Sequence, residues 1–205
     1  MYIFGAGGHG KAIIDLVVSD SEFDVDGLFD DNENGKIMGI PVGNINDHQF
    51  SKNQDFHIAI GNNQTRKDLS ETFKVNYPKL IHPSSTISKY SSIGEGTVVM
   101  PQCSIKAMTA IGRHCIVNAG AIIGHDVTIG DFVHVAPNSA VAGFVNIQEG
   151  AHIGIGASVI QGVTIGKWSI IGAGAVVIRD VPEYSVVVGN PGKVIKSVMH
   201  HNTTP

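Results

Sequence analysis

The sequence predicts a mixed fold: an α/β half-domain followed by an all-β parallel β-helix. Three observations carry this. Ile or Val occupies every sixth position from Ile81 to Val177 without a break. The residue two places before each of them from Ile87 on, from Ser85, Ser91 and Thr97 through Cys103 and Cys115 to Ser169 and Ala175, is small or β-branched. Residues 1–80 lack this period and instead set a glycine-rich turn between an apolar triplet and a helical pattern. A period of six fits neither the 3.6-residue helix nor a hairpin stack, but it suits coils of three short strands.

Tyr2 to Phe4 reads as a strand, Gly5 to Gly10 as a turn and Lys11 to Val18 as a helix. Strands at Val25–Phe29 and His57–Ile60 and a helix at Lys67–Phe73 complete a truncated, Rossmann-like βαβ unit, with Pro41 and nearby Gly and Asn marking loops. From residue 81 the two small or aliphatic positions of each hexad point inward and the residue between them points out. Pairs such as Gly94-Glu95, Gly112-Arg113, Asn118-Ala119 and Gly124-His125 read as corners, where Gly or Asn tolerates positive φ. Three hexads make a coil, so residues eighteen apart stack at about 4.8 Å, giving roughly five coils, each end of which needs a cap. The expected organisation is an α/β domain over 1–80 capping one end, a β-helix over 81–180, and a capping segment over 181–205. In the last of these, Val186 to Ile195 folds back over the other end and His200 to Pro205 forms a disordered tail.

The chain has 205 residues, 6% aromatic side chains, 25 Gly and a net charge of −4. That balance excludes a basic, aromatic-rich nucleic-acid binder. The start carries no leader pattern and no stretch is long enough to span a bilayer, so the expected location is cytoplasmic with no membrane partner. Cys103 and Cys115 share the inward phase and read as buried free thiols.

Gly5-Ala6-Gly7-Gly8-His9-Gly10 satisfies G-x-G-x-x-G between a strand and a helix, the context in which backbone N–H groups hold phosphates. Asp30 and Asp31 end the second strand, where an acid can bond a sugar or base. Gly61-Asn62-Asn63 and Arg66 repeat the strand-to-loop arrangement with amides and a guanidinium for a base or phosphate. Half of a doubly wound domain favours a nucleotide-linked substrate over a dinucleotide. The alternatives at this stage are that the glycines only permit a tight turn and that His9 is a helix cap.

Gly5–Gly10, Phe29-Asp30-Asp31, Ala59-Ile60-Gly61-Asn62-Asn63 with Arg66, Gly124-His125-Asp126, Phe132-Val133-His134-Val135 and Val188-Gly189-Asn190-Pro191-Gly192-Lys193 together resemble one family. It is the hexapeptide-repeat sugar O- and N-acetyltransferases of the sialic acid O-acetyltransferase type, nearest to enzymes that acetylate UDP-4-amino-4,6-dideoxy sugars in the bacillosamine pathway. The resemblance implies a left-handed β-helix and a homotrimer using acetyl-CoA. It also implies a UDP moiety on Gly7, Gly8, His9, Asp30 and Asp31, with His125 as base. Asp126 stands where the family commonly has Glu.

A neutral imidazole can take a proton from an amine as it attacks a thioester, with Asp126 fixing its tautomer. His134 and His152 share the outward phase of neighbouring coils, and Pro137, Ile155 and Ala173 form a corner column. Together they suggest a track for acetyl-CoA: His134 near the thioester, with the Ile155 and Ala173 backbone beside pantetheine. His125 and His134 fall on different edges of the coil, so the expected site is shared between subunits. The alternatives are GDP- or dTDP-linked amino sugars, a sialic acid hydroxyl, a metal hydratase of the γ-carbonic anhydrase kind using His114, His125, His134 and His152, and a non-catalytic nucleotide-binding scaffold; no metal is expected.

Overall fold

The computed structural model describes residues 1–19, 23–33 and 35–198; the expected tail at His200–Pro205 lies outside them. Strand β1 (Tyr2–Phe4), helix α1 (Gly8–Ser19), strands β2 (Gly27–Phe29), β3 (Gly35–Ile37), β4 (Ile40–Gly43) and β5 (Phe56–Ile58), and helix α2 (Asn63–Thr72) form the N-terminal part. Its sheet has the order β3-β4-β2-β1-β5, with β4, β2, β1 and β5 parallel. The β3-β4 hairpin is absent from the sequence-based reading, which takes this stretch as loop. Met38 and Gly39 both adopt positive φ, 49° and 83°, which gives the mirror-image turn that hairpins favour. Pro41 is accommodated because it precedes the part of β4 that pairs with β2, which begins at Val42, so that ladder loses no donor.

From Leu80 to Val177, two-residue strands wind into three parallel sheets in an eighteen-residue register, which shortens to sixteen where Val186 pairs with Ile170. On the first face His134 pairs with Ile116 above and His152 below. The second face runs from Thr86–Ile87 to Val176–Val177 and the third from Ser92–Ile93 to Thr164–Ile165. The coil is a left-handed β-helix. Its core is the predicted aliphatic column, with Val99, Val117, Ile123 and Ile153 fully buried. Buried hydroxyls are satisfied by corner carbonyls: Thr97 Oγ1 donates to Gly112 O at 2.8 Å and Thr109 Oγ1 to Gly124 O at 2.6 Å. Cys103 and Cys115 are buried free thiols, and burial pushes the Cys115 thiol up to about 12.

The corners differ from expectation. Positive φ falls at Gly96, His114, Gly120, Asp126, Phe132 and their equivalents rather than at Gly94, Gly112 or Gly124. Those glycines are needed for another reason. A Cβ on Gly94 would lie 2.6 Å from the Gly112 carbonyl carbon of the next coil, and one on Gly124 2.6 Å from that of Ala142.

The N-terminal part also sits elsewhere than at the open end. It packs along the first face, where outward-facing Leu80, Val98 and Ile116 join Ile13, Ile14 and Leu16 of α1 in one apolar cluster. Outward residues on the other two faces of the same coils are Thr86, Ser104, Ser92 and Ala110, which offer no such surface. Ile81, Ile87 and Ile93 of the first coil are accordingly only partly buried. At the other end, Ser185–Val188 extends the first face and Lys193–Ser197 pairs back on it antiparallel. Gly192 N donates to Val176 O as the chain folds over the last coil.

Candidate active site at the seam between sheet and coil

The glycine motif divides by role. Gly5, at φ 106°, has no room for a side chain, since a Cβ would lie 2.7 Å from Ala59 O. Gly10 packs against the Gly5 carbonyl. Gly7 and Gly8 are exposed with open space where a Cβ would stand, so their backbone is accessible to a ligand at the start of α1. Asp30 holds this loop: Oδ2 accepts from Ala6 N at 2.7 Å, and Oδ1 accepts from Asn32 N and Glu33 N. Burial raises its carboxyl, but those three N–H groups hold it below the ordinary value. Asp31 beside it is exposed and is the acid facing outward.

After β5, Gly61 and Asn62 are exposed, and Asn62 Oδ1 caps α2 by accepting from Thr65 N at 2.9 Å. Arg66 departs from its expected place. It is 1% exposed, and its guanidinium is directed into the protein. Nε donates to His114 O at 2.7 Å, Nη1 to Ile60 O at 2.9 Å, and Nη2 to Asn63 Oδ1 and Phe132 O. It therefore locks the β5–α2 loop to the coil and leaves no donor for a ligand. Asn63 Nδ2 adds bonds to Gly150 O and Ala151 O, and Lys67 pairs with Glu149 at 2.7 Å.

Behind the loops lies a seam of buried imidazoles. His9 Nε2 and His57 Nδ1 are buried without hydrogen-bond partners among the described residues. His114 is enclosed by Tyr77 and by Phe132, stacked at 5.5 Å. Burial, reinforced by Arg66 for each, lowers His9 and His114 to about 4; burial, then His9, His114 and Arg66, lowers His57 to about 3. Above pH 6.5 these groups are neutral both folded and unfolded, and their stabilising contribution is complete. Below it the unfolded chain binds protons that the folded chain refuses, so stability falls as pH drops from 6.5 towards 3. Thermal melts should show a midpoint falling across that interval, with a shallower fall for His57→Phe; a flat profile would contradict the assignment.

His134 projects from the first face into the same seam. Its Nε2 lies 3.2 Å from Asn118 Nδ2, and its ring meets His152 edge-on at 4.8 Å. Burial, then His152, Arg66 and His9, pushes it down to about 3, against a raising contribution from the Gly61 backbone. Asn118 is a side chain the sequence reading passed over as a corner residue; its place one coil above His134 was the available signal. Ile155 and Ala173 are exposed on the corner between the first and second faces and stack as predicted. Gly156 N donates to Pro137 O and Gly174 N to Ile155 O. Gly156 and Gly174 have nothing near a Cβ position, so the column leaves open space beside its backbone.

His125 and Asp126 stand apart, on the corner between the second and third faces. Asp126 adopts φ 55°, which swings its carboxylate back so that Oδ2 lies 2.8 Å from His125 Nδ1. The shorter side chain thus still reaches the ring. Nδ1–H donates to the carboxylate, and Nε2 is left as the acceptor. The ring lies over Gly143, where a Cβ would come within 2.7 Å of Cε1, and meets Phe144 edge-on at 5.1 Å. No described group of three or more His, Cys, Asp or Glu is placed to hold a metal ion.

A phosphate-type loop on a hexapeptide coil, with an oriented imidazole on a corner and an open backbone rail, defines the β-helical acyltransferase class. Residues 1–73 match the PglD N-terminal domain, and residues 108–143 and 144–179 match the bacterial transferase hexapeptide (six repeats). The acetyltransferase domain of PglB from Neisseria gonorrhoeae superposes with TM-score 0.90 at 34% identity, over 95% of this chain and 98% of that one. PerB from Caulobacter crescentus, solved with CoA and GDP-perosamine, gives 0.88 at 36% identity over 95% and 96%. The UDP-N-acetylbacillosamine N-acetyltransferase of Bacillus subtilis is 43% identical over 107 residues, 48% of this chain; the match spans half the length of that relative. The chain belongs to the PglD-type hexapeptide-repeat sugar acetyltransferases.

Proposed function

We propose that the protein moves acetyl from acetyl-CoA to the 4-amino group of a UDP-linked 4-amino-4,6-dideoxy sugar in the cytoplasm, with His125 as general base. Residues 1–80 hold the nucleotide sugar, 81–180 hold acetyl-CoA and the base, and 181–205 close the coil. The observation that carries the reading is the His125–Asp126 pair, in which the carboxylate takes Nδ1–H and leaves Nε2 as the acceptor. The sugar amine bonds to the thioester carbonyl carbon as Nε2 takes its proton, and the C–S bond breaks to release CoA, whose thiolate takes the proton back. Both cysteines lie in the core, which favours direct transfer over an acyl-enzyme. Gly7, Gly8, His9 and Asp31 receive the diphosphate and nucleoside, and Gly61 and Asn62 border the sugar. His134, Ile155 and Ala173 take the thioester and pantetheine. Asp30 and Arg66 act by holding the loops.

The site is completed by a second copy in a homotrimer. His125 and His134 lie on different parts of the coil, and the corner bearing His125 and Asp126 also exposes Met108 (65%), Phe144 (62%), Ile160 and Ile178. A thiol-release assay with UDP-, GDP- and dTDP-linked 4-amino sugars should show the UDP substrate preferred. Mixed trimers reassembled from His125→Ala and His134→Ala chains should recover activity that neither has alone. Absence of turnover with every donor would overturn the activity, and absence of recovery in mixed trimers the shared site.

A further inference from the structure

A cleft of about 430 Å³ opens between the start of α2 and the lower part of the first face. Gly61, Asn62 and Gln64 line one side; His152, Trp168 and Ile170 line the other. It is continuous with the seam described above, because His152 pairs with His134 in register and their rings touch. The sheet order then sets what reaches it. β2, β1 and β5 are neighbours, so the acid at Asp31, the open glycines Gly7–Gly8 and the Gly61–Asn62 loop follow one another across the carboxyl ends of the sheet. Strands are spaced at about 4.8 Å, so a nucleoside over β2 and a diphosphate over β1 bring the next group over β5, at the mouth of the cleft.

We infer that this cleft is the hexose subsite and that Trp168 and Ile170 set its preference for a sugar with an apolar face. The inference rests on the reading of the protein as a nucleotide-sugar enzyme. Trp168 is held at φ 55°, its ring lies against Gly150, where any Cβ would collide with it, and Lys67 Nζ sits 5.6 Å from the ring centroid. The indole is therefore fixed before a ligand arrives, which limits the ordering cost of packing a pyranose C–H face on it. Ile170, directly beneath His152, is 39% exposed and places aliphatic carbon where a deoxygenated carbon or methyl can be desolvated and a hydroxyl cannot bond. Asn62 uses its amide oxygen to cap α2, and its amide nitrogen has no partner among the described residues, leaving donors for a ring oxygen or hydroxyl. Base recognition at β2 and CoA recognition at the Ile155 corner do not touch this surface.

The test compares binding of UDP with binding of a UDP-linked 4-amino-6-deoxy sugar by calorimetry, and KM for acetyl-CoA, in the wild type, Trp168→Ala and Ile170→Asn. The expected result is a loss of about tenfold in affinity for the nucleotide sugar in each variant, with UDP affinity and the acetyl-CoA KM unchanged. Ile170→Asn changes a partly exposed side chain and keeps the test valid if Trp168→Ala loosens the fold. Equal losses for UDP and its sugar conjugate would assign the cleft to the nucleoside and overturn the inference; so would a rise confined to the acetyl-CoA KM. A wild type that binds UDP and the conjugate equally well would also overturn it. Normal binding discrimination without acetyl transfer would instead count against the proposed activity alone.

Discussion

Replacing His125 with Ala should lower kcat by about 10²–10⁴-fold, while leaving the melting curve and the KM for acetyl-CoA close to those of the wild type. The ring is exposed; it meets Phe144 edge-on, lies over Gly143 and pairs with Asp126, so its removal costs little packing. On the proposed mechanism, what it removes is the acceptor for the amine proton at the moment the carbon–nitrogen bond forms. Asp126→Asn provides the finer test. The amide keeps the size of the side chain but can donate to Nδ1 as readily as accept from it, so the tautomer with Nε2 free is no longer imposed. A smaller loss, about tenfold, is expected, carried in kcat rather than KM. Turnover at saturating substrates, followed by thiol release, distinguishes the cases. Wild-type turnover in His125→Ala would remove this residue as the base and return attention to the imidazoles of the seam.

The coil was legible because its side chains repeat on the same period as its backbone. Once Ile or Val at every sixth residue sets three hexads per turn, the pairings Val98–Ile116, Ile116–His134 and His134–His152 follow by arithmetic. The corner column of Ile155 and Ala173 came out of the same count, whereas His125 and Asp126 were singled out by the family resemblance. The corner conformation did not. Sequence places glycine at the corners, but two demands operate there, close approach of the next coil at Gly94 and positive φ at Gly96, and composition alone does not separate them. The docking of the half-domain was readable in principle, since Leu80, Val98 and Ile116 make one face apolar outside as well as inside. The internal contacts of Asp30 and Arg66 were not legible, for a shared reason. Each faces backbone groups that become available only through the folded path of the chain: the N–H groups of Ala6, Asn32 and Glu33 for one, the carbonyls of Ile60, His114 and Phe132 for the other.

Arg66 accordingly carries the second large effect. It is a cation with no carboxylate partner among the described residues, and burial brings its guanidinium only down to about 10, so it stays charged at neutral pH. Carbonyls on both sides of the seam, together with Asn63 Oδ1, stabilise that charge, and the fork of donors is what lets one side chain serve the β5–α2 loop and two successive coils together. Arg66→Met leaves those carbonyls buried without donors, at about 1–3 kcal/mol for each group that water cannot reach. The melting midpoint should fall by about 10 °C on the usual scaling for a chain of this length. Arg66→Lys should recover little, because one ammonium cannot span both sides. Stability alone would mark any buried group, so the decisive readout is kinetic. With the loop released, Gly61 and Asn62 lose their fixed position over the first face, and the KM for the nucleotide sugar should rise about tenfold while that for acetyl-CoA, whose proposed corner Arg66 does not touch, stays constant. A variant that melts early yet keeps both KM values would confine Arg66 to holding the fold; one that melts normally would show that solvent reaches the seam and satisfies these carbonyls without it.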